Sequence, residues 1–298
     1  MSPSQVMTKR LKEFKYFSPT TVGEAVPVLK DYDGEAKVLA GGTDLLPMMK
    51  LRTVTPECIV SLKKIAGLDY IRQEGNELRI GALTTIAAIL VSDLIKHKCW
   101  SLYEAAMVFA TPQIRNIATI GGNICRSSPS SDMVPPLMSF GAEVRLVGVK
   151  GERSVLLEDF FTGAGQNVLD REILTEIVVP LPVEQCGTAF IKLTRTSTDL
   201  AKLNCAVRIT VGSGRCDDII IVLGAVADRP VTAKQVCLAI KGREIKDEVF
   251  EAAAQKVIED IAPITDVRST AEYRTQVSQV LIKRTIKQAI ERAKVNRQ

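Results

Sequence analysis

The sequence predicts an α+β protein: a small βαβ unit, a mixed α+β sheet domain, and a C-terminal three-stranded antiparallel sheet with a helical bundle. Three observations support this prediction. Two Gly-Gly pairs, at 41–42 and 121–122, lie beside hydroxyl or amide side chains. Turn residues separate short strand-like runs, as in β-hairpins. Segment 180–187 carries two prolines and a glycine but little periodicity, which marks a boundary.

The βαβ unit is predicted from the first part of the chain. Apolar residues at helical spacing predict a helix over 22–30, capped by Thr20 or Thr21. Residues 36–40 form a short strand that enters the first glycine pair, and 58–62 form another strand. A strand, a glycine turn, a helix and a strand together make the unit.

The middle of the chain alternates hairpins with helices. Its predicted strands are 68–72, 77–82, 142–147, 154–157 and 172–179. Thr84 or Thr85 is placed to cap one helix and Ser101 a second. Residues 113–118 lead into the second glycine pair, and 158–161 form a short turn.

The C-terminal part predicts three strands followed by helices. The strands are 188–196, 205–211 and 219–226, and the helices begin near Lys234, run over 247–261, and run from Thr270 to about Asn296. The predicted domains are 1–60, 61–180 and 187–298. No repeat or low-complexity segment interrupts them.

Composition narrows the function classes. The chain has 298 residues, 46% hydrophobic and 24% charged, which is typical of a globular protein. Its net charge of +5 is spread out, so nucleic-acid binding has no specific support. No apolar run approaches the about 20 residues that a membrane span needs. The N-terminus has no apolar signal segment, so we expect a cytoplasmic protein.

Histidine and cysteine usage argues against several kinds of site. His97 is the single histidine, which disfavours a hydrolase triad or a multi-histidine metal centre. Seven cysteines occur without a CxxC pattern, so buried free thiols fit better than disulfides, zinc or iron–sulfur sites. We predict no catalytic residue and no metal ligand, and expect Cys125 to line a cofactor pocket without a redox role.

The glycine loops predict a phosphate site. Glycine lets backbone N–H groups approach a bulky anion closely, and successive N–H groups form an anion nest. Thr43, Thr119 and Asn123 add possible side-chain hydrogen bonds. Two separated loops suit the pyrophosphate of a dinucleotide, although neither matches the GxGxxG or P-loop pattern. Taken singly, either loop also fits an ordinary tight turn.

The sequence resembles the FAD-binding (medium) subunit of molybdenum hydroxylases, the xanthine dehydrogenase and carbon monoxide dehydrogenase flavoprotein family. The resembling segments follow the family's order: YFSPTT at 16–21, AGGTDLL at 40–46, TPQIRN at 111–116, TIGGNI at 119–124, the segment 190–201, and AEYR at 271–274. The resemblance spans nearly the whole chain and implies a two-subdomain FAD-binding fold followed by a C-terminal flavoprotein domain.

The resemblance also implies the residues that bind FAD. They are Val38, Leu39, Ala40, Gly41, Gly42, Thr43, Asp44, Leu45, Phe109, Thr119, Ile120, Gly121, Gly122, Asn123, Asp132, Leu174 and Lys192. The two loops would hold the pyrophosphate, and Phe109 and Leu174 would pack on cofactor rings. Asp132 would bond a ribose or ribityl hydroxyl, and Lys192 would place positive charge near the flavin pyrimidine edge. From the residues alone, Asp132 also fits a helix N-cap and Lys192 a solvated strand lysine.

The implied function is electron transfer within a larger enzyme. Substrate would be oxidised at molybdenum on a large molybdopterin subunit, and electrons would pass through 2Fe–2S clusters of a small subunit to FAD. FAD would then reduce NAD or a quinone, in an (αβγ)2 heterohexamer. Segment 192–199 carries one arginine where relatives often have two basic residues, which leaves the acceptor open, and Asp199 is a candidate for discriminating acceptors. The alternatives are a self-sufficient FAD-dependent oxidoreductase and a non-enzymatic nucleotide-binding module.

Overall fold

The computed structural model describes most of the chain. Its described residues are 10–182 and 185–295, so 1–9, 183–184 and 296–298 lie outside them. Three predictions concern residues outside the described ranges, at least in part. They are the lack of an apolar signal segment at the N-terminus, the middle of the boundary segment 180–187, and the end of the last helix near Asn296. Within the described ranges, no helix combines the length and apolar character that crossing a membrane requires.

The described strands form four sheets. They are β1 (Lys15–Phe17), β2 (Ala36–Leu39), β3 (Cys58–Ser61), β4 (Ile71–Glu74), β5 (Glu77–Gly81), β6 (Glu143–Gly148), β7 (Gly151–Leu156), β8 (Phe161–Gly163), β9 (Gln166–Asn167), β10 (Ile173–Pro180), β11 (Cys186–Leu193), β12 (Leu203–Gly212), β13 (Arg215–Gly224) and β14 (Val231–Thr232). The sheet orders are β1-β3-β2, β4-β5-β10-β6-β7, β11-β12-β13-β14 and the β8-β9 hairpin.

Helices join and cover these sheets. Those described are α1 (Val22–Asp31), α2 (Leu45–Leu51), α3 (Ile86–Val91), α4 (Asp93–Lys98), α5 (Trp100–Met107), α6 (Pro112–Arg115), α7 (Ile120–Cys125), α8 (Val134–Ser139), α9 (Leu157–Phe160), α10 (Lys234–Ile240), α11 (Asp247–Gln255) and α12 (Ala271–Val295). A 3-10 turn, Lys256–Glu259, follows α11.

The first sheet confirms the predicted βαβ unit. Strands β2 and β3 are parallel and are joined through the first glycine loop and α2. The sequence prediction missed β1, which pairs with the other edge of β3. Thr21 caps α1 by accepting a bond from the Glu24 N–H, and the Glu24 carboxylate accepts one from the Thr20 N–H at 2.8 Å. This reciprocal arrangement satisfies N–H groups at the helix start.

The second sheet is antiparallel and has β10 at its centre, between β5 and β6. Alternate residues of β5 and β10, such as Leu78 and Ile177, point into the largest apolar core. Thr85 caps α3, as one of the two predicted candidates. The cap assigned to Ser101 is wrong, because α5 begins at Trp100 and the Ser101 N–H donates to the Thr188 hydroxyl instead.

Two connecting segments differ from their predictions. Residues leading to the second glycine pair include the short helix α6, which Thr111 caps and which the sequence prediction did not assign. The predicted turn at 158–161 is the short helix α9 followed by the start of β8. Both are single helical turns, too short to produce a recognisable helical period in sequence.

The C-terminal sheet has four strands rather than the predicted three. The long strands β11, β12 and β13 form the predicted antiparallel meander, and the two-residue β14 adds to β13. Helix α12 packs against β11 and β12 through buried side chains, including Ile282, Ile286 and Ile290. This packing buries one apolar side of the last helix.

A polar cluster joins the C-terminal part to α5. The Glu104 carboxylate accepts hydrogen bonds from the Phe190 N–H and from Arg292, both at 2.8 Å. Arg292 also donates to the Thr188 carbonyl at 2.7 Å. We call this group the Glu104–Arg292 clamp. It ties α5, β11 and α12 together, and α5 ends two residues before Phe109.

Candidate cofactor-binding site

A cavity of about 390 Å³ lies where the two glycine loops meet the start of β10. Small-molecule sites commonly measure about 300–1,000 Å³. The predicted residues that line it are Val38, Ala40, Gly41, Gly42, Thr43, Asp44, Leu45, Phe109, Thr119, Gly121, Gly122, Asn123 and Leu174. Folding therefore brings together both glycine loops and the two predicted ring-packing residues.

The first loop needs glycine at both positions. Gly42 has a φ of +83°, a left-handed conformation that favours glycine. A Cβ on Gly41 would overlap the carbonyl oxygen of Ile117. The missing side chain thus lets the first loop lie directly against the backbone that precedes the second loop.

The first loop presents unused backbone donors. Within the described chain, the N–H groups of residues 41–45 have no hydrogen-bond acceptor, and neither does the Thr43 hydroxyl. The next helical bonds begin beyond them, with the Leu46 N–H donating to the Gly42 carbonyl at 3.1 Å. Consecutive N–H groups in a glycine turn form a concave anion site. The first loop therefore supports the predicted phosphate nest.

In the second loop, the N–H groups of residues 120–123 all donate to acceptors within the chain. The N–H groups of Ile120 and Gly121 donate to the carbonyls of Thr84 and Ala82, each at 3.0 Å. Those of Gly122 and Asn123 donate to the hydroxyl and carbonyl of Thr119. The prediction of a backbone nest in both loops is therefore wrong for this one.

The second loop also carries a side-chain amide, that of Asn123, with an unbonded donor. The Ser131 hydroxyl donates to the Asn123 Oδ1 at 2.6 Å, which orients the amide. The Asn123 Nδ2 has no acceptor in the described chain, and Asn123 lines the cavity. Asn123 thus offers a side-chain donor by which the second loop can reach an anion.

Leu39 and Ile120 lie behind the loops rather than in the cavity lining. Leu39 is buried with Met49 and Ile59 in a small core beneath the first loop. Ile120 is fully buried in the largest core. Their side chains anchor the two loops, and their predicted contact with cofactor stays a prediction.

Asp132 and Lys192 form a buried ion pair beside the cavity. The Lys192 Nζ lies 2.6 Å from the Asp132 carboxylate, and the two side chains are 3% and 6% exposed. Lys192 also donates to the Val108 carbonyl at 3.2 Å, while Asn204 donates to Asp132 at 3.2 Å. Burial raises the pKa of the Asp132 carboxyl, and Lys192 and Asn204 oppose that rise.

These contacts rule out two interpretations left open by the sequence. Asp132 does not cap a helix, because α8 has Met133 at its N-cap and no side-chain cap bond. Lys192 is not a solvated strand lysine. Val108 precedes Phe109, so the ammonium group lies one residue from the cavity lining. Direct contact of either residue with cofactor stays a prediction.

The cavity lining includes residues that no motif indicated. Arg126 and Cys125 follow the second loop directly, and the expected position of Cys125 is confirmed. Burial raises the pKa of the Cys125 thiol to about 12, so it stays protonated at neutral pH. Gly165 and Leu169 come from the β8–β9 region, and no sequence signal connected that hairpin to the loops.

Two further observations bear on chemistry at this site. Asp199 accepts a hydrogen bond from Arg195 at 3.0 Å on an exposed turn, and its role toward acceptors stays a prediction. Over residues 10–182 and 185–295, no group of three histidine, cysteine or acidic side chains is arranged to hold a metal ion.

Comparison with known families covers both parts of the chain. Residues 12–182 match the model of the FAD binding domain in molybdopterin dehydrogenase. Residues 188–289 match the model of the CO dehydrogenase flavoprotein C-terminal domain. The two matches meet near the predicted boundary segment.

Several known proteins align with this chain over nearly its full length and nearly all of their own. The carbon monoxide dehydrogenase medium chain of Afipia carboxidovorans is 36% identical over 94% of this chain and 98% of its own length. The glyceraldehyde dehydrogenase medium chain of Sulfolobus acidocaldarius is 33% identical, over 93% and 98%. The solved carbon monoxide dehydrogenase of Hydrogenophaga pseudoflava superposes with a TM-score of 0.93 at 35% identity, covering 95% of this chain and 99% of that one.

These matches, together with the paired glycine loops and their cavity, confirm the predicted resemblance and FAD as the cofactor. They also confirm the predicted fold class and place the chain among oxidoreductase subunits. The chain therefore belongs to the FAD-binding medium subunits of the molybdenum hydroxylase family of dehydrogenases.

Proposed function

We propose that the chain transfers electrons from 2Fe–2S clusters of a small partner subunit, through FAD, to an acceptor such as NAD or a quinone. The organic substrate would be oxidised on a large molybdopterin subunit, in an (αβγ)2 assembly. The observation that carries the proposal is the cavity between the glycine loops, with its row of unused N–H donors. Relatives are named as medium chains or FAD subunits of dehydrogenases that act on different organic substrates, which supports a role that they share whatever the substrate.

The donors of the cavity fit FAD. A diphosphate needs several convergent hydrogen-bond donors, and the N–H groups of residues 41–45, the Thr43 hydroxyl and the Asn123 amide supply them. Phe109 and Leu174 give the same cavity apolar walls against which flat rings can pack. When bound, FAD supplies reversible electron transfer that protein side chains lack.

We assign the other predicted residues to positioning and charge. Val38, Ala40 and Leu45 shape the wall next to the first loop. Asp132 holds the Lys192 ammonium in a fixed place beside Phe109, where it can stabilise negative charge on a reduced ring. The domains 1–60, 61–180 and 187–298 remain part of this proposal.

The ionisable groups of the lining favour this role over a self-sufficient oxidoreductase. Glu172 is held by two hydrogen bonds from Arg153, each 2.7 Å, which lower the pKa of its carboxyl. Asp44 is paired with Arg126, and the Cys125 thiol is protonated. None of these three groups is poised to abstract a proton from an organic substrate. This supports delivery of electrons to the cavity by a partner subunit.

The first experiment measures FAD binding by the purified full chain. We expect one flavin per chain by absorbance. Asn123→Asp should weaken FAD binding more than tenfold, because a carboxylate would face the diphosphate. Asn116→Asp is the matched control, since Asn116 is exposed and lies outside the cavity lining. A folded chain that takes up no FAD, alone or with its partners, would contradict the proposal.

Electron transfer needs a second experiment with the partner subunits. Reduced small subunit should bleach the flavin band of the FAD-loaded chain, and adding NAD or a quinone should restore it. Reduction by organic substrate without any partner would instead favour the self-sufficient enzyme. Bound FAD that no partner can reduce would favour the nucleotide-binding module.

A further inference from the structure

An ion pair joins the two glycine loops across the cavity. Asp44 follows Thr43 in the first loop, and Arg126 ends the short helix of the second loop. The Arg126 Nε lies 3.5 Å from the Asp44 carboxylate, and both residues line the cavity. The two side chains are 39% and 59% exposed, so the pair is accessible from solvent. We call it the Asp44–Arg126 bridge.

The bridge leaves the guanidinium largely unused. At 3.5 Å the contact is a loose ion pair, and Arg126 makes no hydrogen bond from its side chain within residues 10–182 and 185–295. Its Nη1 rests beside Gly165, whose N–H donates to the Ser127 carbonyl at 2.9 Å. Neither Asp44 nor Gly165 satisfies the guanidinium donors, although both help to place the group. An arginine fork without acceptors is suited to a phosphate.

The charged side chains of the cavity lining indicate which cation could meet the diphosphate. The charged side chains are Lys37, Asp44, Arg126 and Glu172. Arg153 already pairs with Glu172. A diphosphate brings two negative charges, and the N–H groups of residues 120–123 in the second loop are already bonded within the chain. Arg126 is the cation that lies on that second-loop side.

We propose that Arg126 binds the diphosphate of FAD, and that Asp44 holds its guanidinium over the cavity until the cofactor replaces the carboxylate. The inference rests on the proposed FAD site and adds two residues with opposite effects. Arg126 contributes attraction from the second loop, where the N–H groups of residues 120–123 are already bonded. Asp44 contributes competition and like-charge repulsion. The bridge would open as FAD enters.

The test measures the dissociation constant of FAD for the cofactor-free full chain, by flavin fluorescence at low salt. Arg126→Gln should weaken binding about tenfold, as loss of a charge-assisted bond to phosphate predicts. Asp44→Asn should tighten binding. In the Arg126→Gln background, Asp44→Asn should give a smaller gain, because no guanidinium remains to be released. The dissociation constant of ADP, which carries the same diphosphate, should rise by a similar factor in Arg126→Gln.

A matched surface pair controls for general charge effects. Lys287 and Asp247 form an ion pair at 2.7 Å in the C-terminal part and lie outside the cavity lining. Lys287→Gln and Asp247→Asn should leave FAD binding unchanged. Should Arg126→Gln fail to fold, Asp44→Asn still tests the proposal, since its predicted effect has the opposite sign.

The outcomes separate this inference from the proposed function. If the unmodified chain binds FAD and Arg126→Gln binds it within twofold, the role of Arg126 is refuted while the FAD site stands. Equal effects of Asp44→Asn in both backgrounds would refute competition within the bridge. If the unmodified chain binds no FAD, alone or with its partners, the proposed function fails and the inference fails with it.

Discussion

The two glycine loops share a Gly-Gly pair and a neighbouring hydroxyl, yet they use their backbones differently. In the first loop, the N–H groups of residues 41–45 have no acceptor in the described chain. In the second, four successive N–H groups are bonded to Ala82, Thr84 and Thr119. One loop is built to receive a ligand through its backbone, and the other is built to hold its own position.

The comparison shows that a glycine pair does not by itself identify a phosphate nest. Gly41 and Gly121 both allow backbone to approach backbone, against Ile117 and Ala82 respectively. The anion site depends on which N–H groups remain unbonded after that packing. In this fold the second loop helps the first by fixing Ile117 and by offering the Asn123 amide.

The largest effect should come from Gly121→Ala. A new Cβ would lie 2.7 Å from the Ala82 carbonyl oxygen in a buried contact, so we expect a loss of about 2–3 kcal/mol in the free energy of unfolding. Chemical denaturation of the cofactor-free chain measures it. Gly23→Ala is the control with opposite sign, because Gly23 is exposed in α1 and alanine favours helix. Equal stability of Gly121→Ala and wild type would mean that the second loop does not depend on this packing.

The first loop should respond in affinity rather than stability. Thr43→Val removes an unbonded hydroxyl that lines the cavity, so we expect FAD binding to weaken about tenfold with little change in stability. Isothermal titration with FAD provides the measurement. Thr162→Val, an exposed change in β8 away from the lining, should alter neither quantity. A stability loss without an affinity change would reverse the assignment of the first loop.

Thr119→Val should lower the stability of the protein and change FAD affinity little, because the hydroxyl of Thr119 caps the second loop. The Thr119 hydroxyl accepts from the Gly122 N–H at 3.1 Å, and losing such a cap costs about 1 kcal/mol. Thr85→Val removes a similar cap, on α3, outside the cavity lining. We expect similar thermal destabilisation in both variants and FAD affinity within about threefold of wild type. A much larger affinity loss in Thr119→Val alone would make Thr119 a direct ligand.

The smallest effect should come from substituting Asp266. This residue lies away from the cavity, so its substitution should change the free energy of unfolding without changing FAD affinity. Burial would raise the pKa of its carboxyl, but bonds from the Arg268 and Ser269 N–H groups and from Arg274 outweigh it and lower the pKa to about 2. Because the pKa is depressed, the stabilisation is present above about pH 4 and declines as pH falls toward 2.

Asp266→Asn should therefore lower the free energy of unfolding by about 0.5–1 kcal/mol at pH 7. The difference from wild type should shrink by pH 3, as measured by denaturation across that range. FAD affinity at pH 7 should not change, because Asp266 lies outside the cavity lining. An affinity loss of the same size as in Thr43→Val would show that FAD binding follows global stability.

Local features of the fold were predictable from sequence. Thr21 and Thr85 were recognised as caps because a hydroxyl precedes an apolar helical period. The strands β1 and β14 were missed, since three and two residues carry too little alternation to indicate a strand. The strand β1 depends on pairing with the distant β3, and β14 depends on pairing with the end of the preceding strand β13.

The sequence indicated most residues of the site, but not the hydrogen bonds and ion pairs that they make. Glycine pairs indicated both loops correctly, yet the acceptors of the second loop lie about forty residues earlier, at Ala82 and Thr84. Lys192 and Asp132 are likewise 60 residues apart and meet only in the folded chain. The bridge between Asp44 and Arg126 carries no spacing that a motif would reveal.

The Glu104–Arg292 clamp has a consequence for biosynthesis. Arg292 lies on α12, 188 residues after Glu104, so it is synthesised long after the helix that ends just before Phe109 and whose carboxylate it satisfies. Until Arg292 arrives, Glu104 lacks its cation, and that helix is incompletely fastened. Ribosome-bound chains that end before α12 should therefore load flavin poorly, and cofactor insertion should follow synthesis of that helix.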